Sequence, residues 1–287
     1  MSTGALLARR RIVVTGASRG IGAVVVRTLA AAGARIVLVA RDAALLETVR
    51  ASLPGGPHET LALDVADEAA WRAARDELTA GRVDGLVTVA GVLGPVGPVG
   101  SWDLDGFRRT FEVNVVGTLL PILTLLEALR ATRGAVVTFS GGGSTSPLPN
   151  FDAYAASKTA LVRLAENLAV ELEADGIRVN SVAPGFVATD MHRATLAAGP
   201  ELAGAGYFER TKRNVESGGD PPEAAAELTA FLLSDDAEGI TGRLVSARWD
   251  PWQEPAFRER LRSDASLGRL RRIDDQFYGA VPGRPPG

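Results

Sequence analysis

Arg11-Ile12-Val13-Val14-Thr15-Gly16-Ala17-Ser18-Arg19-Gly20-Ile21-Gly22 is the stretch whose reading decides the fold. It opens as an apolar run of strand length. Glycines follow at 16, 20 and 22, and a helical pattern continues through Val24, Val25, Leu29 and Ala32. Strand, glycine turn and helix, in that order, are the context of a dinucleotide-binding fingerprint. The glycines permit a tight turn and a close approach of backbone to a pyrophosphate. The helix N-terminus supplies unpaired N–H groups and a dipole that favours anions.

The same alternation continues outward. Strands are expected near 11–15, 35–40, 59–63, 83–88, 134–140, 177–182 and 243–247, and helices near 20–32, 42–52, 67–79, 103–130, 152–174 and 221–234. Runs such as Arg35-Ile36-Val37-Leu38-Val39-Ala40 are almost continuously apolar, which suits parallel strands buried on both faces. The fold class is therefore α/β, a Rossmann-type doubly wound parallel sheet of about seven strands flanked by helices. Residues 1–250 read as one domain and 251–287 as a C-terminal extension. Gly94-Pro95-Val96-Gly97-Pro98-Val99-Gly100 is a turn-rich loop, and Asp103 is placed to cap the helix after it.

Tyr154-Ala155-Ala156-Ser157-Lys158 carries the chemistry. The chain has two lysines, Lys158 and Lys212, and otherwise uses arginine for positive charge. Position 158 thus calls for a compact ammonium that can pass a proton, which a guanidinium does not do. On a helix the four-residue spacing puts phenol and ammonium on one face. A cation ~4 Å from a phenol at an effective dielectric of ~20 is worth roughly 4 kcal/mol, or about three pKa units at most. The expectation is a phenol lowered from about 10 toward neutrality, where a general acid/base works best.

Taken together, these motifs resemble the short-chain dehydrogenase/reductase family over residues from about 10 to about 250. The family pattern T-G-x-x-x-G-x-G, Asn, Ser, Y-x-x-x-K and Pro-Gly falls on Thr15 to Gly22, Asn114, Ser140, Tyr154/Lys158 and Pro184-Gly185. The resemblance implies a nicotinamide-dependent oxidoreductase acting on a carbonyl or secondary alcohol of a small molecule. It makes Tyr154 the general acid/base, Lys158 its partner and the holder of the nicotinamide ribose, and Asn114 the anchor of a water in the proton relay. It places Thr15, Gly16, Ser18, Arg19, Gly20, Ile21 and Gly22 at the pyrophosphate, and Asp64 and Val65 at the adenine. Ala90 and Gly91 line the pocket, and Pro184, Gly185, Val187 and Thr189 hold the carboxamide. Family spacing puts the serine thirteen residues before the tyrosine, which here is Gly141. Ser140 is the preferred substitute, and Ser144 the alternative. The family's Asn-Asn-Ala-Gly is here Thr88-Val89-Ala90-Gly91, so an asparagine's hydrogen bonds are missing.

Cofactor choice turns on the end of the second strand. NAD-preferring enzymes keep an acid there for the ribose 2′-hydroxyl. The corresponding residue is Ala40, followed by Arg41, with Arg19 in the glycine loop. Two guanidiniums without the acid favour a 2′-phosphate, hence NADP(H) over NAD(H). Asp42 reads as a helix cap. The segment 190–219, with Met191, His192, Tyr207, Phe208 and glycines at 218–219, is the expected substrate lid, and glycines suit a mobile flap.

Composition narrows the remaining classes. A formal net charge of −3 implies neither nucleic acid nor an anionic membrane as partner. The absence of cysteine removes disulfides, thiolate–metal sites and thiol nucleophiles, and fits a reducing cytoplasm. No metal site is expected. Residues 1–10 lack the apolar stretch of a signal peptide, and no apolar segment is expected to reach spanning length. The resemblance implies a homodimer or homotetramer joined through helices such as 103–130 and 152–174. Past the last strand, Trp249-Asp250-Pro251-Trp252 and an Arg/Glu-rich stretch depart from the family. These tryptophans would close the pocket, pack on a neighbouring subunit, or belong to a helix docked on their own chain. Residues 281–287 read as disordered. Two other readings stand beside the oxidoreductase: a catalytically silent cofactor-binding regulatory protein, and a dehydratase or epimerase on the same fold.

Overall fold

The structure is a computed structural model describing residues 6–272 of the 287. Arg11–Thr15 (β1), Arg35–Ala40 (β2), Glu59–Ala62 (β3), Gly85–Thr88 (β4), Ala135–Phe139 (β5), Arg178–Ala183 (β6) and Leu244–Ser246 (β7) form one sheet. Its order is β3-β2-β1-β4-β5-β6-β7, and each neighbouring pair is parallel. Side chains alternate between the faces, so the central residues of β1 are apolar on both sides. Ile12 and Val14 join one core cluster, Val13 the other.

The first cluster packs the sheet against α1 (Gly20–Ala31), α2 (Ala43–Ala51) and α9 (Pro222–Leu233). The second packs it against α3 (Glu68–Thr79), α5 (Gly117–Thr132) and α6 (Asp152–Glu171). The two expected caps are in place: the carboxylates of Asp42 and Asp103 accept the N–H groups of Leu45 and Gly106 at 3.0 and 2.7 Å, and Asp67, not anticipated, caps α3 through the Ala70 N–H at 3.0 Å.

Three expectations are corrected. The helix expected over 103–130 is two helices, α4 (Leu104–Phe111) and α5, joined by a π-helical turn at Glu112–Val116. The extra residue in that turn accommodates Asn114, whose buried side chain reaches the loop after β4. The continuous helical stretch Leu104–Thr132 is also long and apolar enough to span a membrane, contrary to expectation. Here its Ile122, Leu125 and Leu129 are spent on the second core cluster. The lid is helical, α7 (Asp190–Ala203) and α8 (Ala205–Glu216), with backbone breaks at Gly199 and Gly204. Of the two glycines after it, Gly219 is required by close approach, since a Cβ there would lie 2.6 Å from the Phe186 carbonyl oxygen.

Beyond β7 the chain folds back on itself. Trp252 is buried and stacks on Phe231 of α9 at 5.9 Å. Phe257 and Leu261 of α10 (Pro255–Ser263) join the same cluster. The docked helix is therefore the arrangement found, and Trp252 does not close a pocket. Trp249 is exposed beneath the Arg248 guanidinium, 4.4 Å from it. The tail then covers the sheet edge. The Leu244 N–H donates to Gly268 O and the Ser246 N–H to Asp250 Oδ2, both at 2.7 Å. Leu270 bonds onward to Glu166 of α6 at 2.6 Å. An exposed edge strand is a template for pairing with another chain, and these bonds occupy its donors. The expected disorder at 281–287 lies outside the described residues.

Gly268 has φ 68°, and a Cβ there would lie 2.8 Å from Leu244 O. We expect Gly268→Val to unseat the tail and cost about 1–3 kcal/mol. The readout is a lower Tm with concentration-dependent association in light scattering; unchanged melting and mass would show that this contact does not seal the edge.

Candidate active site

A cleft of about 890 Å³ opens at the C-terminal ends of β1 to β4. This is the point where strand order reverses, the crevice in which doubly wound sheets bind ligands. Of the residues expected at a cofactor, Gly16, Ser18, Arg19, Gly20, Ile21, Gly22, Arg41, Asp64, Val65, Ala90, Gly91 and Thr189 line it. Thr15 lies just beneath, its hydroxyl accepting the Ala90 N–H at 3.4 Å. A Cβ at Gly16 would lie 2.7 Å from Ala90 N, and one at Gly22 would collide with Gly16 O. These two glycines bring loop and helix together. Gly20 has φ 56°, and a Cβ there would be in van der Waals contact with Thr189 Cγ2 at 3.6 Å. Arg19 precedes α1 without a side-chain cap, and the first turn holds no acid, so the uncapped N–H end faces the cleft.

Two features of the cleft were not legible beforehand. Arg109, from α4, meets Asp64 Oδ2 at 2.6 Å and lines the cleft. Burial raises the Asp64 carboxyl, but the Ala66 N–H and Arg109 together hold it below its usual range. Nothing near residue 109 in the sequence announces this pairing, because its partner is 45 residues away. At the end of β4, Val89 packs against the first core cluster, while Thr88 Oγ1 is buried without a hydrogen-bond partner.

The catalytic candidates converge from α6, β5 and the π turn. Asn114 Oδ1 accepts Val92 N–H at 2.8 Å. Its Nδ2 donates to Val92 O at 3.0 Å and to Ser157 Oγ at 2.9 Å. Ser157 in turn donates to Tyr154 O at 2.8 Å. The Asn114 side chain is thus spent on fixing α6 against the loop after β4. Lys158 Nζ donates to Phe139 O at 2.9 Å. A Cβ at Gly91 would lie 3.5 Å from that nitrogen, so the buried ammonium sits beside a glycine that lines the cleft, while Lys158 and Tyr154 are not themselves among its lining residues.

Ser140 and Ser144 are both buried, and Ser140 Oγ donates to Ser144 Oγ at 2.8 Å. The residue against the Tyr154 phenol is Gly141. A Cβ there would fall inside the contact radius of Tyr154 Oη and 2.9 Å from Cζ. The position that family spacing assigns to serine has no room for a side chain with the phenol where it stands.

The lowered phenol is not found. Burial pushes Tyr154 above its ordinary value, with Tyr207 adding to the rise. Burial also pulls Lys158 down to about 8. The ammonium is 5.8 Å from the phenol ring centroid and donates to a carbonyl instead, so desolvation outweighs its attraction.

Pro184-Gly185-Phe186-Val187 is held from behind. The Phe186 N–H donates to Asp220 Oδ2 at 2.6 Å, the Asp220 N–H returns to Phe186 O at 2.7 Å, and Val187 bridges Gly219. His192 packs on Phe186 at 3.9 Å, and burial lowers its pKa. Tyr207 packs on Phe151 at 4.7 Å.

The comparisons agree with this geometry. A family model described as enoyl-(acyl carrier protein) reductase matches residues 16–247. A relative from Xanthobacter autotrophicus, named inactive 2-(S)-hydroxypropyl-CoM dehydrogenase 2, is 38% identical and covers 75% of this chain and 94% of its own. The cis-4-hydroxycyclohexanecarboxylate dehydrogenase of Sinomonas cyclohexanicum is 34% identical, covering 85% of this chain and 96% of its own. Among solved structures, levodione reductase superposes with a TM-score of 0.77 at 30% identity, covering 86% of this chain and 98% of its own.

We expect Gly141→Ala and Gly141→Ser each to cut turnover by about 100-fold, because a phenol displaced by ~1 Å costs that much. Full activity in Gly141→Ser would show that the phenol tolerates a side chain there. A second expectation concerns pH. Lys158 titrates near 10.4 in the unfolded chain and at about 8 when folded. Between those values the unfolded chain binds more protons, so stability rises with pH. The stability difference between wild type and Lys158→Met should shift in the wild type's favour by up to about 3 kcal/mol from pH 8 to 10, measured by urea unfolding. A flat difference would mean that Lys158 is not desolvated.

Proposed function

The chain belongs to the short-chain dehydrogenase/reductase family, and we propose that Tyr154 and Lys158 are its proton-handling pair. The activity is nicotinamide-dependent oxidoreduction between a carbonyl and a secondary alcohol of a small molecule. The observation that carries the residue assignment is the Lys158 ammonium beside Gly91, a residue that lines the cleft, with Tyr154 one helical turn away on α6.

The cleft fits a dinucleotide. It combines a volume of about 890 Å³, an uncapped helix N-terminus and a left-handed Gly20 that lines the cleft. The loop Thr15 to Gly22 would hold the pyrophosphate, Asp64 and Val65 the adenine end, and Pro184, Gly185, Val187 and Thr189 the carboxamide. A bound nicotinamide supplies or accepts the hydride. The chain handles the proton. Tyr154 is protonated at neutral pH, since burial raises its pKa, so it is ready to give its proton to a substrate oxygen in the reductive direction. Lys158, the nearest cation, is placed to restore that proton and hold the ribose. The Ser140–Ser144 pair is the nearby source of a hydroxyl for the substrate oxygen, with Ser140 assigned the role. Asn114 acts through Val92 and Ser157, positioning α6, and its π-helical turn is where a relay water would bind.

NADP(H) is the preferred cofactor in this reading. Ala40 ends β2 without an acid, Asp42 is committed to capping α2, and Arg19 and Arg41 flank the cleft. The protein is cytoplasmic and a homodimer or homotetramer. Exposed Leu123 on α5 and Val170 on α6 supply apolar surface for such a contact. A silent cofactor-binding protein is the second reading, favoured by Gly141 at the serine position.

Calorimetric titration of NADPH and NADH, followed by turnover on cyclohexanols, ketones and polyols, tests both readings. We expect NADPH to bind more tightly by about tenfold or more, and Arg41→Ala to erase that margin. Tyr154→Phe should bind NADPH normally and lose turnover by about 1,000-fold. Equal binding of the two nucleotides would overturn the NADP(H) preference, and binding without turnover across the panel would select the silent reading.

A further inference from the structure

We propose that Asp220 is a positioning residue, the joint that fixes both roots of the α7–α8 excursion and so sets the Pro184–Thr189 segment at the edge of the cleft. The excursion leaves the body after Thr189 and returns at Ser217, so its placement depends on how those two ends are tied. Asp220 ties them three ways. Its Oδ2 accepts the Phe186 N–H at 2.6 Å, and its own N–H donates to Phe186 O at 2.7 Å. Its Oδ1 pairs with the Arg248 guanidinium, just past β7. Phe186 is therefore bonded through both its N–H and its carbonyl to one residue on the returning strand of chain.

The surrounding glycines are shaped to this carboxylate. A Cβ at Gly185 would lie 2.5 Å from Asp220 Oδ2 and 3.5 Å from Arg248 Cβ. A Cβ at Gly219 would lie 2.6 Å from Phe186 O and 3.0 Å from Ala188 N. Both glycines have positive φ, 82° and 69°, so the close approach is built from backbone that other residues rarely adopt. Beyond the joint, Phe186 supports His192, which sits in the first turn of α7, and Thr189 and Met191 line the cleft.

The Asp220 side chain is 14% exposed and its Arg248 partner 45%. The carboxylate is thus mostly withdrawn from water, where a charge-assisted hydrogen bond is strongest. Arg248 is anchored in turn by the exposed Trp249 ring. The stretch after β7, which departs from the family pattern, thereby acquires a role at the cleft without touching its contents. Asp220 contacts no reacting atom; it works through the Phe186 backbone.

The proposal rests on the cofactor reading above for its link to nucleotide, and the test separates the two. Hydrogen exchange is measured by mass spectrometry on the full chain without nucleotide, for wild type, Asp220→Asn, Arg248→Met and Arg248→Lys. NADPH affinity is measured by calorimetry on the same proteins. Exchange over 186–216 is expected to rise about tenfold in Asp220→Asn and Arg248→Met while peptides of β1, β4 and β5 stay unchanged. NADPH Kd should weaken by a similar factor, with kcat reduced less than kcat/KM, and Arg248→Lys should restore much of both. Unchanged lid exchange in both variants overturns the proposal, as does faster exchange spread evenly over the sheet, which marks general destabilisation. Faster lid exchange with unaltered NADPH affinity overturns the link to the cleft. Failure of the wild type to bind either nucleotide overturns the cofactor reading instead, and the exchange data still decide whether Asp220 is the joint.

Discussion

One buried carboxamide, that of Asn114, holds the site together. It spends both amide protons and one acceptor position on Val92 and Ser157 and leaves no exposed surface. Removing it would leave the Val92 N–H and carbonyl without these partners, each costing about 1–3 kcal/mol. The π-helical turn at Glu112–Val116 exists where this side chain must turn inward. Through it, the loop after β4 is locked to α6, and α6 carries both Tyr154 and Lys158. The same helix bonds to Leu270 of the tail through Glu166. Cleft, α6 and C-terminal return are thus referenced to one another by a few polar bonds in an otherwise apolar frame.

Burial, more than charge pairing, sets the protonation of the site. A cation near a phenol would lower its pKa if the two met at close range in water-like surroundings. Here Lys158 is withdrawn to the Phe139 carbonyl and Tyr154 is packed against Gly141. Both neutral forms gain. A neutral phenol is a proton donor, and a lysine near 8 exchanges its proton readily around neutral pH. The same packing explains why serine is absent at 141. Space beside the reactive oxygen is taken by the oxygen itself.

The C-terminal stretch extends the protein's own core. Trp252, Phe257 and Leu261 lengthen the α9 face, the tail occupies the outward donors of β7, and Arg248 braces Asp220. One segment thus covers the sheet edge and reaches the lid roots. The contacts that seat it on the body, Trp252 on Phe231 and Leu270 on Glu166, join residues distant in sequence, which is why three placements of its tryptophans were open from composition and spacing alone.

The sequence by itself determined the doubly wound sheet, because apolar runs of strand length alternate with helical periodicity and both signals are local. It also determined the glycine turn, the Asp42 and Asp103 caps and the Tyr154/Lys158 face, each written in spacings of a few residues. Tertiary structure decided the rest. The division of 103–130 at Asn114, the Asp64–Arg109 pair, the hydroxyl pair of Ser140 and Ser144, and the direction of the Tyr154 shift all depend on which groups meet across the fold. Desolvation and backbone-to-backbone approach are properties of a packed interior. They have no counterpart in the order of residues until the chain has closed on itself.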